Sequence, residues 1–170
     1  KPLELINNKE MILHVYEAAK KTNTGEVYVA TPDQKIIDII TCNGGKAVLT
    51  SLDHQTGTDR IYEVFKTQLN NEANIIVNLQ GDMPNIDPLT ISNLISYMAK
   101  DQCDIGTLAS SFSSDSEIAD ENNVKVVVKK KLSINNFSEA TDFFRTTSKK
   151  HENFYHHLGI YAFTNKALVR

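Results

Sequence analysis

Apolar residues recur along this chain at helical spacing in some stretches and in short β-branched runs in others, and the two kinds alternate. Met11, Ile12, Val15, Ala18 and Ala19 follow Asn7-Asn8, two candidate caps, and predict a helix over 10–21. Residues 26–30 read as a short strand. Ile36, Ile37, Ile39 and Ile40 then predict a helix over 33–42, ended by Asn43-Gly44-Gly45. A second strand is expected over 46–50. The polar loop 51–57 leads into a helix capped by Thr58, with Ile61, Val64, Phe65 and Leu69 on one face. The run Ile75 to Leu79 is apolar, rich in β-branched residues and stops at Gln80-Gly81-Asp82, as a buried strand of a parallel sheet does. Asp87-Pro88 opens the next helix, whose apolar face is Leu89, Ile91, Leu94, Ile95 and Met98.

Repeated strand–helix units imply a Rossmann-like α/β fold, doubly wound, with a mostly parallel sheet and right-handed crossovers. The pattern then changes. A strand is expected over 104–109, and 123–128 with 132–137 read as a small antiparallel hairpin extension across Lys129-Lys130-Lys131. Those lysines read as a solvated turn. Residues 138–152 are polar and predict an irregular stretch, 155–163 a strand, and Asn165 the start of a last helix. No repeat, low-complexity tract or linker interrupts the chain, so one domain over 1–170 is expected.

Composition narrows the classes. The 170 residues carry 41% hydrophobic and 23% charged side chains and a net charge of −3. That balance is ordinary for a globular protein and unsuited to nonspecific nucleic-acid binding. No apolar run is long enough for a membrane span. Cys42 and Cys103 make no disulfide framework; they read as buried or bystander thiols, and a cytoplasmic location fits. The chain opens at Lys1 and stops inside a helical pattern at Leu168-Val169-Arg170, so a piece of a longer polypeptide is expected.

Two stretches could carry chemistry. Asp82 stands just past the carboxyl end of a strand, where open α/β sheets bind ligands. It is either a Mg²⁺ ligand facing a nucleotide phosphate or a capping residue in a turn made by Gly81. In Asp53-His54-Gln55-Thr56-Gly57-Thr58-Asp59-Arg60 a loop enters a helix whose free N–H groups and dipole favour an anion. There Gly57 permits close approach and Arg60 can fork onto a base or phosphate; the alternative is a capped loop with an Asp59–Arg60 surface pair. His157 and Tyr161 share one strand face, whereas the adjacent pair His156-His157 cannot chelate one metal. His157 is thus a donor to a ligand or an exposed bystander. His14 reads as a satisfied core or interface residue, and His151 shows no partner. No H-E-x-x-H, C-x-x-C, G-x-S-x-G or G-K-[ST] pattern is found in the sequence.

Taken together, these segments resemble the 3-deoxy-manno-octulosonate cytidylyltransferase (CMP-Kdo synthetase) family along most of the chain. Lys1-Pro2-Leu3 matches the end of that family's R-x-x-S-x-R-L-P-x-K-P-L loop. The helix from Met11 to Val15, Ala30-Thr31, Gly44-Gly45, D-H-Q-T-G-T-D-R from Asp53 and I-V-N-L-Q-G-D from Ile76 follow in order. N-x-V-K-V-V from Asn122, F-S-x-A from Phe137 and H-L-G-I-Y from His157 complete the series. The resemblance implies the nucleotide-diphospho-sugar transferase type of fold, CTP and a 2-keto sugar acid as substrates, Mg²⁺ as cofactor, a homodimer, and a role in lipopolysaccharide biosynthesis. It implies that Asp82 holds Mg²⁺ and that Lys1 contacts the triphosphate. Ala30, Thr31, His54, Gly57, Thr58 and Arg60 would meet the nucleotide, and Gln80, His157 and Tyr161 the sugar acid.

The chain departs from the family pattern at telling places. Met83 replaces the glutamate of Q-G-D-E-P, and Glu139 replaces the arginine of F-S-R-A expected to meet the sugar carboxylate. A carboxylate beside an anionic substrate would repel it by on the order of a kcal/mol. Ala30-Thr31-Pro32 replaces Ala-Thr-Asp, with Asp33 following. Most of the phosphate loop and the C-terminal part, with its second metal-binding aspartate, lie outside these residues. A sialic-acid-type cytidylyltransferase and a catalytically impaired nucleotide-binding paralogue are the alternatives.

Overall fold

The computed structural model describes residues 1–101, 103–133, 136–146 and 152–170. His151, and part of the strand expected over 132–137, lie outside the described residues. The chain divides into two compact units: Lys1–Gly106 with Tyr161–Arg170, and Thr107–Ile160.

In the first unit the elements run β1 (Leu5–Ile6), β2 (Lys9–Glu10), α1 (Met11–Lys21), β3 (Tyr28–Thr31), α2 (Gln34–Cys42), β4 (Lys46–Leu49), α3 (Gly57–Gln68), β5 (Ile75–Asn78) and α4 (Pro88–Asp101). Asn7 and Asn8 do not cap α1. They take positive φ angles of 51° and 62° and turn β1 onto β2, as the two central residues of a tight hairpin must. Asp33 caps α2 by accepting from the Lys35 amide, and Gly44, at φ 71°, lies just past its end. Gly45 is required sterically, since a Cβ there would stand 2.6 Å from Ile40 Cγ2. β3 and β4 pair in parallel, in the register Tyr28↔Lys46 to Thr31↔Leu49. Ile12 and Leu13 of α1 and Ile36 and Ile40 of α2 form one core, onto which Val29 and Ala47 pack. Phe65 of α3 anchors another with Phe163 and Leu168.

The second unit begins within β6 (Ile105–Ser110) and continues through α5 (Asp115–Ala119), β7 (Lys125–Val128), β8 (Ala140–Phe144) and part of β9 (Phe154–Thr164); α6 (Asn165–Val169) returns to the first unit. β7 pairs antiparallel with β8 and with the Phe154–His156 end of β9. The hairpin expected across Lys129-Lys130-Lys131 is therefore wider, its second strand lying at Ala140–Phe144, inside the stretch expected to be irregular. The three lysines are exposed. Lys125 is buried at 1% exposure, and its ammonium donates to the Asp120 and Arg145 carbonyls at 2.7 and 2.9 Å.

The class is mixed α/β, but the expected mostly parallel sheet is not what pairs. Among the described residues β3 and β4 pair in parallel, whereas β5 pairs antiparallel with the Tyr161–Thr164 end of β9. Local sequence pattern marks a buried strand equally well in either orientation, so the apolar run at β5 could not decide its partner. Cys42, in α2, is exposed rather than buried. Among the described residues no helix is long and apolar enough to cross a membrane.

Candidate active site

Asp82 follows β5 in a turn, and its Oδ2 accepts from Lys1 Nζ at 2.8 Å. Residues 81 positions apart thus meet at the carboxyl end of a strand. Both side chains are well exposed, 69% for Lys1 and 43% for Asp82, so the pair contributes little to stability and stays open to ligands. Asp82 makes no cap to α4; the Leu89 amide donates instead to Asp87.

The loop from Ser51 is built by its own side chains. Thr56, not Thr58, caps α3: its hydroxyl accepts from the Asp59 amide while the Asp59 carboxylate accepts from the Thr56 amide, a reciprocal capping box. Thr58 is the second helical residue and half-buried. Asp59 and Arg60 do not form the surface pair. Arg60 turns back to the end of β4, where its guanidinium donates to Thr50 Oγ1 and, at 2.9 Å, to the Ser51 carbonyl. His54 hydrogen-bonds Glu63 through Nε2, and Glu63 also accepts from the Ser51 amide at 3.1 Å. Those two bonds, the histidine's first, hold the Glu63 carboxyl below the usual carboxylate range.

Gly57 opens α3 beside the end of β5. A Cβ on Gly57 would lie 3.5 Å from both Asn78 Nδ2 and Gln80 Nε2, so a longer side chain would wedge between these amides and the helix start. Asn78 is 5% exposed, a buried amide inside an otherwise apolar run. Ala30 and Thr31 end β3; Thr31 is 5% exposed and accepts from the Asp33 amide at 3.1 Å. Tyr161 stacks on Phe163 with ring centroids 6.1 Å apart.

In the second unit His157 is 8% exposed and neither a bystander nor solvent-facing. Its Nε2 lies 2.9 Å from Thr107 Oγ1, which itself lies 2.6 Å from the Ile160 carbonyl. The threonine hydroxyl gives its one proton to that carbonyl, so Nε2 carries a hydrogen and donates to Thr107. Phe143 meets the ring edge-on at 5.1 Å. Burial first, and the neighbouring His156 second, lower the His157 pKa below its ordinary value. Glu139 is exposed and paired with Lys129. His14, half-buried, reaches the Ile6 carbonyl at 3.0 Å.

Structure thus joins Lys1 to Asp82 and Gly57 to Gln80, and turns Arg60 and His157 inward. Asn78, Thr50, Glu63 and Thr107 were not singled out by sequence. Only Asn78 carried a signal, as the lone amide between Val77 and Leu79. Among the described residues no three His, Cys, Asp or Glu side chains gather as a metal site. Asp82 still fits Mg²⁺, which commonly takes one or two carboxylates and fills its other positions with substrate phosphates and water.

Comparison with known proteins agrees along the whole chain. The cytidylyltransferase family profile matches residues 1–170. The 8-amino-3,8-dideoxy-manno-octulosonate cytidylyltransferase of Shewanella halifaxensis is 41% identical, over 98% of this chain and 69% of the relative. The 3-deoxy-manno-octulosonate cytidylyltransferase of Brucella ovis is 37% identical, over 100% of this chain and 68% of the relative. A solved CMP:2-keto-3-deoxy-manno-octonic acid synthetase, complexed with CTP, superposes with a TM-score of 0.86 at 37% identity, covering 99% of this chain and 69% of that one. A 4-diphosphocytidyl-2C-methyl-D-erythritol synthase from Anaerococcus prevotii shares the fold at a TM-score of 0.60 and 13% identity. A match over every residue, with relatives well above 30% identity, places this chain in the cytidylyltransferase family.

Proposed function

We propose that the full-length protein transfers CMP from CTP to a 2-keto-3-deoxy sugar acid, releasing pyrophosphate, as part of lipopolysaccharide biosynthesis. The observation that carries this reading is the Lys1–Asp82 pair at the carboxyl end of β5. It sets a mobile cation and an oxygen donor together at the edge of a nucleotide-binding type of fold. The TM-score of 0.86 to a synthetase holding CTP supports the nucleotide, as the parallel β3–β4 pair supports a doubly wound sheet of the nucleotide-diphospho-sugar transferase type.

In the reaction the anomeric hydroxyl oxygen of the sugar acid forms a bond to the α-phosphorus. The bond to the bridging oxygen breaks, pyrophosphate leaves with its electron pair, and the hydroxyl proton passes to solvent. Mg²⁺, when bound through Asp82, supplies charge neutralisation to the phosphates. Lys1, its stem exposed, exchanges Asp82 for triphosphate oxygens, so that the charge it offers grows more useful as pyrophosphate departs. Thr31, Gly57 and the start of α3 border the nucleotide, and the Gly57 approach leaves room for it. His54 and Arg60 act by holding the loop, each through the partner it already has. Gln80 and Tyr161 face the sugar acid, with His157 fixing its strand through Thr107. Cytoplasmic location and a homodimer accompany the same reading.

A second substrate reading rests on a specific observation. The 41%-identical relative is named for an 8-amino sugar acid, and this chain adds a carboxylate at Glu139. An ammonium on the sugar would favour that acidic side chain where a neutral hydroxyl would not. Pyrophosphate release by full-length protein, with CTP, Mg²⁺ and each sugar acid in turn, separates the readings. Turnover with 3-deoxy-manno-octulosonate supports the first, and preference for the 8-amino sugar the second. Turnover with sialic acid alone, or CTP binding without turnover, overturns both.

A further inference from the structure

Asn78 is the one amide in the apolar run of β5, and it is buried to 5% exposure. Among the described residues its side chain makes no hydrogen bond. None of their side-chain polar atoms is both sealed from solvent and without a partner, so both ends of the Asn78 amide keep a contact with the opening beside them. Gly57, Ile61 and Gln80 line that same opening, which lies within the first unit. An unpaired amide in such a place costs more than an apolar side chain of the same shape, so Asn78 works against the stability of the unliganded chain.

Gly57 gathers further polar groups at the same place. The atoms nearest to where its Cβ would stand are Asn78 Nδ2 and Gln80 Nε2, each at 3.5 Å, and Asn78 Oδ1 at 3.9 Å. Gly57 also opens α3, whose capping box uses the Thr56 and Asp59 amides. The Gly57 and Thr58 amides precede the first intrahelical bond and have no partner among the described residues. Two side-chain amides and a free backbone N–H thus meet where no side chain intervenes. The charged groups of this loop are committed elsewhere, Arg60 to Thr50 and Ser51, Asp59 to the cap. A phosphate or carboxylate calls for a cation, as Lys1 stands beside Asp82. What fits at Asn78 is a neutral, flat group with a donor and an acceptor side by side, able to lie against a glycine.

We propose that Asn78 positions the pyrimidine ring of CTP, its amide oxygen accepting from the exocyclic amino group and its amide nitrogen donating to ring N3. This rests on the reading of CTP as the substrate. The ring at Asn78 and the phosphates at Asp82 are then no more than about 14 Å apart, the most that four residues span, and one nucleotide bridges them. An amide can turn over to meet uracil as well, so Asn78 holds the base and leaves the choice of pyrimidine to other groups.

Calorimetric titration of full-length wild type and Asn78→Leu, together with inhibition of turnover by pyrophosphate, tests this. CTP and uncharged cytidine should both bind the variant about tenfold more weakly, whereas pyrophosphate should inhibit it as it does the wild type. Without ligand the variant should melt at or above the wild-type temperature, because an apolar side chain of similar shape replaces an unpaired amide. 2′-Deoxycytidine should lose the same factor as cytidine. A loss confined to ligands carrying the 2′-hydroxyl puts the amide on the ribose and overturns the base assignment. Equal weakening of CTP and pyrophosphate, with a lowered melting temperature, marks a structural amide and overturns it too. Undiminished cytidine affinity in the variant removes Asn78 while leaving CTP as the substrate; a wild type that binds neither CTP nor cytidine overturns both readings. If leucine overpacks the site and the variant does not fold, Asn78→Ala carries the same comparison of ligands.

Discussion

Asp82 and His157 both stand in sequence motifs, and the structure gives them opposite surroundings. Asp82 is exposed, and its partner Lys1 is a long, flexible side chain that is itself exposed. His157 is buried, with Nε2 committed to Thr107 and an aromatic edge against its ring. An exposed pair can trade its partner for a ligand at little cost, because water already competes for both groups. A buried donor trades at greater cost, since breaking its bond to Thr107 forfeits a hydrogen bond shielded from water. Equal prominence in sequence therefore hides two surroundings: one side chain open to exchange, and one held in place.

The largest effect that sharpens this contrast is on turnover. Asp82→Asn should lower pyrophosphate release by full-length protein by about two to three orders of magnitude, with an unchanged melting temperature. Wild-type turnover in that variant would move the chemistry elsewhere. His157→Ala should do the reverse. Stability, measured by urea unfolding, should fall by about 1–3 kcal/mol, with lost packing and the lost bond to Thr107 as causes.

pH sharpens the same point. The folded state lowers the His157 pKa, so below the unfolded value of about 6.5 the unfolded chain binds more protons than the folded one. The histidine's contribution is present above that value and is lost as pH falls through the lowered folded value. Unfolding free energy of the wild type should drop over this window more steeply than that of His157→Ala. Parallel profiles would mean that the ring is not buried in solution.

Glu139→Arg gives the smallest effect. It breaks an exposed pair with Lys129, so stability should stay within about 0.5 kcal/mol. The KM for 3-deoxy-manno-octulosonate should fall by about threefold to tenfold if the position meets the sugar carboxylate. No change in KM would set Glu139 apart from the substrate.

Much of the fold was legible because it is local. The helices beginning at Met11 and Gln34 and the strands at β3, β4 and β5 follow from apolar spacing, and Asn43-Gly44-Gly45 marks its helix end through φ. What escaped is set by distant partners. Nothing near Ala140–Phe144 signals that these mostly exposed residues pair with β7, and the Asn7-Asn8 turn competes with a cap of identical composition. The position of Asp82, in a turn past the end of β5, could be read from where the apolar run stops. The inward turn of Arg60 depends on Thr50 and Ser51, and the burial of His157 depends on Thr107, fifty residues away. Such pairings are tertiary, and no periodicity encodes them.

Calorimetric titration of CTP into full-length wild type and Asp82→Asn, each with and without Mg²⁺, bears most directly on the role given to the Lys1–Asp82 pair. Mg²⁺ should tighten CTP binding to the wild type by about tenfold or more and leave the variant's affinity nearly unchanged. Equal tightening in both proteins would contradict the assignment of the cation to Asp82.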